Sequence, residues 1–445
     1  MNLKFRQLTG LMLTAGFLSF HQTSWAEDTK AAEAPPTKSD DHYFRDALKK
    51  MKDEHGLEIF GYMRTGLYKR NSVNGQKINK QFQLGGPLSH YRLGNENDTF
   101  GEFGIAKIFK LNNGLKIKGA FMPYVYNGPV GKATLGVKQL YGEVSGFKSN
   151  PDLAIWAGQR YHRIQDIHII DQWLVEDGDN LGVGVDGIKL GNAGKLNVAA
   201  HVAYAIPDNN TSIHGIANKG ARLNVQWRDI PVNPGGKLNV TGGIITGKYV
   251  HGSDGYAVGL LHNQSDFIVK GLTNSLFVQH SSGHASLNGK FLCGTNKDTV
   301  ETPCGGAKQN LIANSINWQK GKFGGQAVVG YSTYKPDNAE TTKNFSIGAR
   351  FSYGILPHVK LLAEVAGMTQ KTKGSSTQRL HKETLAVAYS LGDTDFWTRP
   401  ELRLYYTHAK WNQAAAAANI GNFGGTIDNV KTSGNTFGLQ LETWW

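Results

Sequence analysis

The final stretch, Asn435–Trp445, constrains the fold more than any other part of the chain. At period two, Phe437, Leu439, Leu441, Thr443 and Trp445 share one face, and Gly438, Gln440, Glu442 and Trp444 share the other. A strand sends alternate side chains to opposite sides, so this one has an apolar face and a polar face carrying one aromatic. A soluble sheet can hold such a strand. A strand that closes a membrane barrel has the same pattern, apolar to lipid and polar to the lumen, with aromatics at the interface.

The start of the chain supports the second reading. Met1–Ala26 has a basic beginning in Lys4 and Arg6, a short apolar run over Leu8–Phe20, and the small-residue end Ser24-Trp25-Ala26. That is the form of a cleaved secretory signal. Its removal takes two cations and no acids from a formal charge of +13, leaving +11. No later segment is long and apolar enough for a spanning helix. Residues 27–56 read as a polar periplasmic tether with Pro35-Pro36, followed by a short helix to about Glu54 that Asp40 or Asp41 can cap. Phe44, Leu48 and Met51 make its narrow apolar stripe. The stripe suits a trimeric periplasmic coiled coil, or docking beneath a barrel. Scattered solvated lysines account for the positive charge, which can also meet lipopolysaccharide phosphates or favour anions. No nucleic-acid partner, cofactor or metal is expected.

Residues 57–445 read as the barrel. Eighteen strand-like runs lie at about 57–68, 91–110, 114–125, 134–145, 152–161, 181–190, 194–204, 218–228, 236–247, 255–265, 273–282, 309–319, 322–333, 343–354, 357–368, 380–391, 395–409 and 434–445. Connections alternate in length. Leu111–Asn113, Gly191–Ala193, Lys320-Gly321, Ile355-Leu356 and Gly392–Thr394 are short, whereas Lys69–His90, His162–Asn180, Gly283–Lys308 and Lys410–Ser433 are long. Short turns on one rim, long loops on the other and an even strand count predict an all-β, eighteen-stranded antiparallel transmembrane barrel in a Gram-negative outer membrane. Closure is required because an open sheet in lipid leaves edge N–H and C=O groups without partners. Cys293 and Cys304 lie in one long loop beside Gly294, Pro303, Gly305 and Gly306. In an exported chain they are expected to form a disulfide that pinches it.

The first strands sort by parity. Ile59, Met63 and Leu67 face one way, while Phe60, Tyr62, Arg64 and Tyr68 face the other. An arginine facing mid-bilayer lipid costs about 2–4 kcal/mol, so Arg64 and Tyr62 are expected in the lumen. Phe100 and Glu102 share a face opposite Phe103 and Ile105. An aromatic followed two residues later by a charge therefore occurs twice on the inner wall. Such paired stripes suit a pyranose, whose C–H face stacks on an aromatic ring while its hydroxyls meet charged groups at the edges. Sliding needs many weak contacts in series, since one deep site would trap the ligand. Lumen aromatics can equally be wall filler, and the residues alone leave both readings open.

Seven segments carry a resemblance. Gly61-Tyr62-Met63-Arg64, Tyr91-Arg92-Leu93-Gly94-Asn95-Glu96, Ile155-Trp156-Ala157-Gly158-Gln159-Arg160-Tyr161, Asp166-Ile167-His168-Ile169-Ile170-Asp171, Asn233-Pro234-Gly235-Gly236, Phe396-Trp397-Thr398-Arg399-Pro400 and Glu442-Thr443-Trp444-Trp445 together resemble the maltoporin family of carbohydrate-selective porins. They occur in the family's order from about Leu57 to the end. The resemblance implies a homotrimer of eighteen-stranded barrels, each with its third long loop folded inward. It also implies facilitated passive diffusion of oligosaccharides or glucosides. Tyr62, Phe100, Trp397 and Trp444 match the aromatic slide. Arg64, Arg92, Glu102, Asp166 and Asp171 match the polar tracks and constriction, and Trp173 stands where the family has a constriction tyrosine.

Several positions depart from the family pattern. Leu272 replaces a slide aromatic, Ile164 replaces an arginine with Arg163 adjoining, and Lys138 stands for another arginine at ambiguous parity. The second long loop, about Tyr126–Ala133, has no tryptophan to reach a neighbouring subunit. A slide with fewer rings should hold long maltodextrins less well. The competing expectation is a general or weakly anion-preferring diffusion porin. Asp166 and Asp171 with His168 could be imagined as a hydrolytic set. However, the sequence has neither a Gly-x-Ser-x-Gly elbow nor a His-Glu-x-x-His helix, and no enzyme activity is expected.

Overall fold

The structure is a computed structural model and describes residues 40–73, 76–79, 81–128, 133–177, 180–202, 220–247, 253–292, 305–423 and 431–445. The signal segment, the tether, Cys293 and Cys304 lie outside the described residues. Helix α1, Asp40–His55, precedes the barrel. Gly56 ends it in the left-handed region, with φ of 61°, where a residue without Cβ is unstrained. Lys107 and Lys110 donate to the carbonyls of His55 and Asp53 at 2.5 and 3.5 Å, cations placed at the negative end of the helix dipole. Phe44 of the apolar stripe is exposed.

Eighteen antiparallel strands follow: β1 Leu57–Tyr68, β2 Thr99–Lys110, β3 Lys116–Asn127, β4 Thr134–Phe147, β5 Asn150–Gln159, β6 Leu181–Lys189, β7 Lys195–Val202, β8 Ala221–Asn233, β9 Gly236–Thr246, β10 Gly255–Gln264, β11 Thr273–Ser282, β12 Ala307–Lys320, β13 Phe323–Pro336, β14 Thr342–Leu356, β15 Val359–Thr372, β16 Gln378–Ser390, β17 Glu401–Trp411 and β18 Ser433–Trp444. Each pairs with the next, and β1 closes the ring on β18 in the register Tyr62↔Trp444 to Tyr68↔Gly438. Closure leaves no open sheet edge.

The barrel is apolar outside and polar within. On β17, Leu402, Leu404 and Tyr406 are exposed, while Glu401, Arg403, Tyr405 and Thr407, which alternate with them, are buried. On β18, Phe437 and Leu439 are exposed and Gln440 and Glu442 are buried. The parity expected from the sequence holds on β1 and β2 as well: Leu67, Phe103 and Ile105 are exposed, whereas Glu102 is buried. Among the described residues no helix is long and apolar enough to cross a membrane.

Three parts of the sequence reading differ from the structure by more than a strand end. Residues 91–98 are not strand; β2 begins at Thr99. Residues 395–400 precede β17, so the expected short turn at Gly392–Thr394 is a longer segment, 391–400. Ile355 and Leu356 belong to β14, which turns at 357–358 instead. Tyr91 and Leu93 pack on the inner wall, Phe396 joins the loop core, and Ile355 and Leu356 continue a ladder.

A ring of this size is too wide for wall side chains to fill, and loops occupy half of it. Phe82, Leu84, Leu88 and Tyr91 of the first long loop join Ile164, Ile167, Ile169, Ile170 and Leu174 of the third. Together they pack on Leu261, Phe277, Leu311, Val328, Met368 and Leu380 of the wall. The two loops are tied to each other where Arg92 N–H donates to Ile169 O at 2.9 Å. The first loop can lie this close because Gly348 has no side chain; a Cβ there would come within 2.3 Å of the Tyr91 ring. The loops thus pack on the β10–β17 part of the ring, and the wall that continues from β17 through β18 and β1 to β2 carries the charged and aromatic residues that follow.

Candidate functional site

A charge ladder lines that wall, and alternation puts it there: on β1, β17 and β18 the inward positions carry Arg64, Glu401, Arg403 and Glu442. Arg64 Nε donates to Asp98 Oδ1 at 2.6 Å and its Nη1 lies 3.2 Å from Glu96. Arg92 Nε donates to the same Glu96 oxygen at 2.7 Å. Its Nη2 reaches the Tyr62 hydroxyl at 2.7 Å and Glu442 Oε1 at 3.3 Å. The other Glu442 oxygen accepts from Arg399 at 3.1 Å and Arg403 at 3.0 Å. Glu401 lies 3.1 Å from Arg403, 3.4 Å from Arg399 and 2.8 Å from Lys360. Farther round, Glu364 holds Arg350 at 2.7 Å and Lys382 at 3.1 Å. Each charge meets an opposite one, which offsets the cost of removing it from water.

Aromatic rings run beside this ladder. Tyr62 and Phe100 are 6.1 Å apart, with the Arg64 guanidinium 5.2 Å from the Phe100 centroid. Trp444, the cross-strand partner of Tyr62, lies 5.8 Å from the His168 ring, which is 5.1 Å from Trp397. Arg399 sits over Trp444 at 4.4 Å. The ring path thus includes an imidazole from the third loop. His168 Nδ1 accepts from Arg92 Nη1 at 3.1 Å. Burial first, then the Arg92 charge, hold His168 well below its ordinary value, so it is a neutral ring at physiological pH.

The third loop is a hairpin of His162–Ile167 against Gln172–Asp177, with a single 3-10 turn at His168–Ile170. It brings Asp166, Asp171 and Trp173 to one place: Trp173 is the cross-strand partner of Asp166 and donates Nε1–H to Asp171 at 3.1 Å. Burial pushes Asp171 up, but Arg92, His90 and Arg64 outweigh it and hold the carboxyl below its usual value. Burial and then the Asp171 charge push Asp166 up to about 7.

The Asp166 shift gives a pH-dependent prediction. A carboxyl with a pKa near 7 is charged above that pH and neutral below it, so acidification removes one negative charge from the passage. In a salt gradient the reversal potential should move toward anion preference as pH falls from 8 to 6. In Asp166→Asn this step should vanish, and an undiminished step there would assign it to another group.

The site residues named from the sequence fall into two connected groups. Tyr62, Phe100, Trp444 and Trp397 lie along one wall with Arg64 and Arg92, while Asp166, Asp171 and Trp173 face them from the loop. Glu102 is buried on β2 and accepts from the Tyr161 hydroxyl. Arg92 comes from the inward-folded first loop. Ile164 is buried in the loop core, and Arg163 instead stacks on Tyr161 at 3.7 Å and lies 5.1 Å from Trp173. Leu272 is fully buried, so no ring stands there. Sequence reasoning missed Arg399, Glu401, Arg403, Lys360, His168 and Tyr161. Glu401 and Arg403, at period two from the start of β17, carry the same parity signal as Arg64. Nothing in the spacing marks His168 as part of the ring path.

Comparison with known proteins places this geometry. The sequence model described as LamB porin matches residues 57–445. Among solved structures, OccAB1 of Acinetobacter baumannii is similar at 9% identity, covering 88% of this chain and 96% of its own, with a TM-score of 0.50. OccK8 (OprE) of Pseudomonas aeruginosa matches at 12% identity, 87% and 97% coverage and a TM-score of 0.47. An anion-selective porin from Comamonas acidovorans matches at 12%, 87%, 99% and 0.45. At such identities the likeness is one of fold. The family match, in contrast, spans the whole barrel: the chain belongs to the LamB porin family and forms a channel in the outer membrane of a Gram-negative bacterium.

Proposed function

We propose that this porin carries sugars, oligosaccharides or glucosides, by facilitated passive diffusion. In this reading the rings of Tyr62, Phe100, Trp444 and Trp397 stack the sugar faces. Arg64, Arg92, Glu102, Asp166 and Asp171 exchange hydrogen bonds with the hydroxyls, and Trp173 narrows the passage. The observation that carries the reading is the ring path lying directly beside an unbroken ladder of ion pairs. A pyranose needs both at once, apolar contact on its face and paired donors and acceptors at its rim. The side chains of Arg64 and Asp166 keep 15% and 17% of their surface exposed; Arg64, already paired, can share a hydrogen bond with a passing hydroxyl without a large desolvation change, which keeps the contact weak. A ring path lacking an aromatic at Leu272 favours short sugars or glucosides over long maltodextrins. Assembly as a homotrimer in contact with lipopolysaccharide accompanies this reading.

Swelling of liposomes containing the purified protein tests it. Uptake of sucrose, aryl glucosides and maltodextrins should saturate with concentration and outrun that of non-sugar solutes of equal size. Rates ranked by molecular size alone, and linear in concentration, would leave a general diffusion porin.

A further inference from the structure

We infer that Tyr126, with Tyr124 and Lys138 beside it, forms an additional sugar-stacking subsite at the extracellular end of the ring path. It would be the first surface that an arriving sugar meets. The inference deepens the sugar-channel reading and rests on it. Pairing settles which way these rings face: Tyr126 is directly opposite Phe100 and Tyr124 is opposite Glu102, both lumen positions. A tyrosine of the interfacial girdle would stand on the other face, with Val125. The Phe100 ring lies 6.3 Å from Tyr124 and 6.4 Å from Tyr126, nearly the 6.1 Å that separates Phe100 from Tyr62. The path therefore continues onto the next strand at the same spacing, one residue from the strand ends Thr99 and Asn127 at the rim of the longer loops, and Tyr126 remains 37% exposed there.

Lys138 reaches this place through a β-bulge. Met122 pairs with Gln139 but Pro123 pairs with Val137, so Lys138 is the extra residue on β4. Gln139 is buried and Leu140 is exposed, and simple alternation would send Lys138 outward into lipid, where a lysine is costly. The bulge re-aims it, and its ammonium lies 4.6 Å from the Tyr124 ring centroid. The parity left ambiguous by the sequence is thus resolved inward. Aromatic face and cationic donor stand together again, the combination already seen at Phe100 with Arg64 and at Trp444 with Arg399. All three residues come from the same chain, so the outer end of the path needs no ring from a neighbouring subunit.

The test is single-channel block in planar bilayers with sugar added on the extracellular side, using maltose, longer maltodextrins, sucrose and an aryl glucoside. For the oligosaccharides that block wild type, Tyr126→Ala should slow association about fivefold or more, the scale of one lost stacking contact. Ion conductance should stay unchanged, and Tyr126→Phe, which keeps the ring, should behave as wild type. Unchanged association in Tyr126→Ala would overturn the subsite, and so would equal loss in Tyr126→Phe, since that traces the effect to the hydroxyl and its packing. Absence of block by every sugar in wild type would instead defeat the sugar-channel reading itself, and the subsite with it.

Discussion

Replacing Glu442 by alanine is expected to destabilise the barrel by about 3–5 kcal/mol, the scale for removing one partner from a buried ion-pair set. Its two oxygens serve Tyr62, Arg92, Arg399 and Arg403, and its side chain is 1% exposed. Without it, Arg92 and Arg399 keep one carboxylate partner each, Glu96 and Glu401, and Arg403 shares Glu401 with both Arg399 and Lys360. The wall then carries one negative charge fewer, beside the Arg399 guanidinium that lies over the Trp444 ring. Glu442→Ala should therefore melt at lower temperature in detergent, and the folded fraction should show stronger anion preference in a salt gradient. A melt and a reversal potential both equal to wild type would mean that water in the passage, rather than Glu442, compensates these guanidiniums.

Replacing Trp397 by alanine is expected to weaken sugar block by about 1–3 kcal/mol, if stacking on a ring in a channel resembles base stacking on an aromatic side chain. Ion conductance should change little, because the ladder of charges stays in place. Trp397 stacks edge-on with Phe396 at 4.9 Å and beside His168 at 5.1 Å, so its loss also frees one side of the imidazole. Tyr62→Ala is a less clean test. The Tyr62 hydroxyl donates to Glu442 and accepts from Arg92, and its removal disturbs the ladder as well as the slide. A Trp397→Ala channel that lost sugar block and ion conductance in equal proportion would point to a collapsed pore rather than a lost stacking surface.

Parity was the legible part of this chain. Arg64, Phe100, Glu102 and Glu442 declared their side because a strand between hydrocarbon and water separates its residues by alternation, and one slip would put a charge in lipid. The same rule misled at Tyr91–Asp98. Tyr91 and Leu93 alternate with Arg92 as they would in a spanning strand, yet they do so because one face of the inward loop packs on the wall and the other meets the passage. Lys138 was unreadable for a related reason, since a bulge shifts parity without leaving a mark in composition. Contacts made by loops across the barrel, such as Arg92 with His168 or Tyr161 with Glu102, join residues far apart in sequence, and spacing carries no trace of them. The family resemblance supplied the inward third loop, and the hydrophobic cluster on Ile164, Ile167, Ile169 and Ile170 gives its physical cause.

Single-channel recording of the wild-type protein with increasing sugar on one side tests the central claim most directly. A stacking path beside a charge ladder predicts discrete interruptions of the ion current, whose frequency rises and then saturates with concentration at fixed voltage. A current that merely declines with the bulk conductivity of the sugar solution, with no resolved interruptions for any sugar, would contradict it.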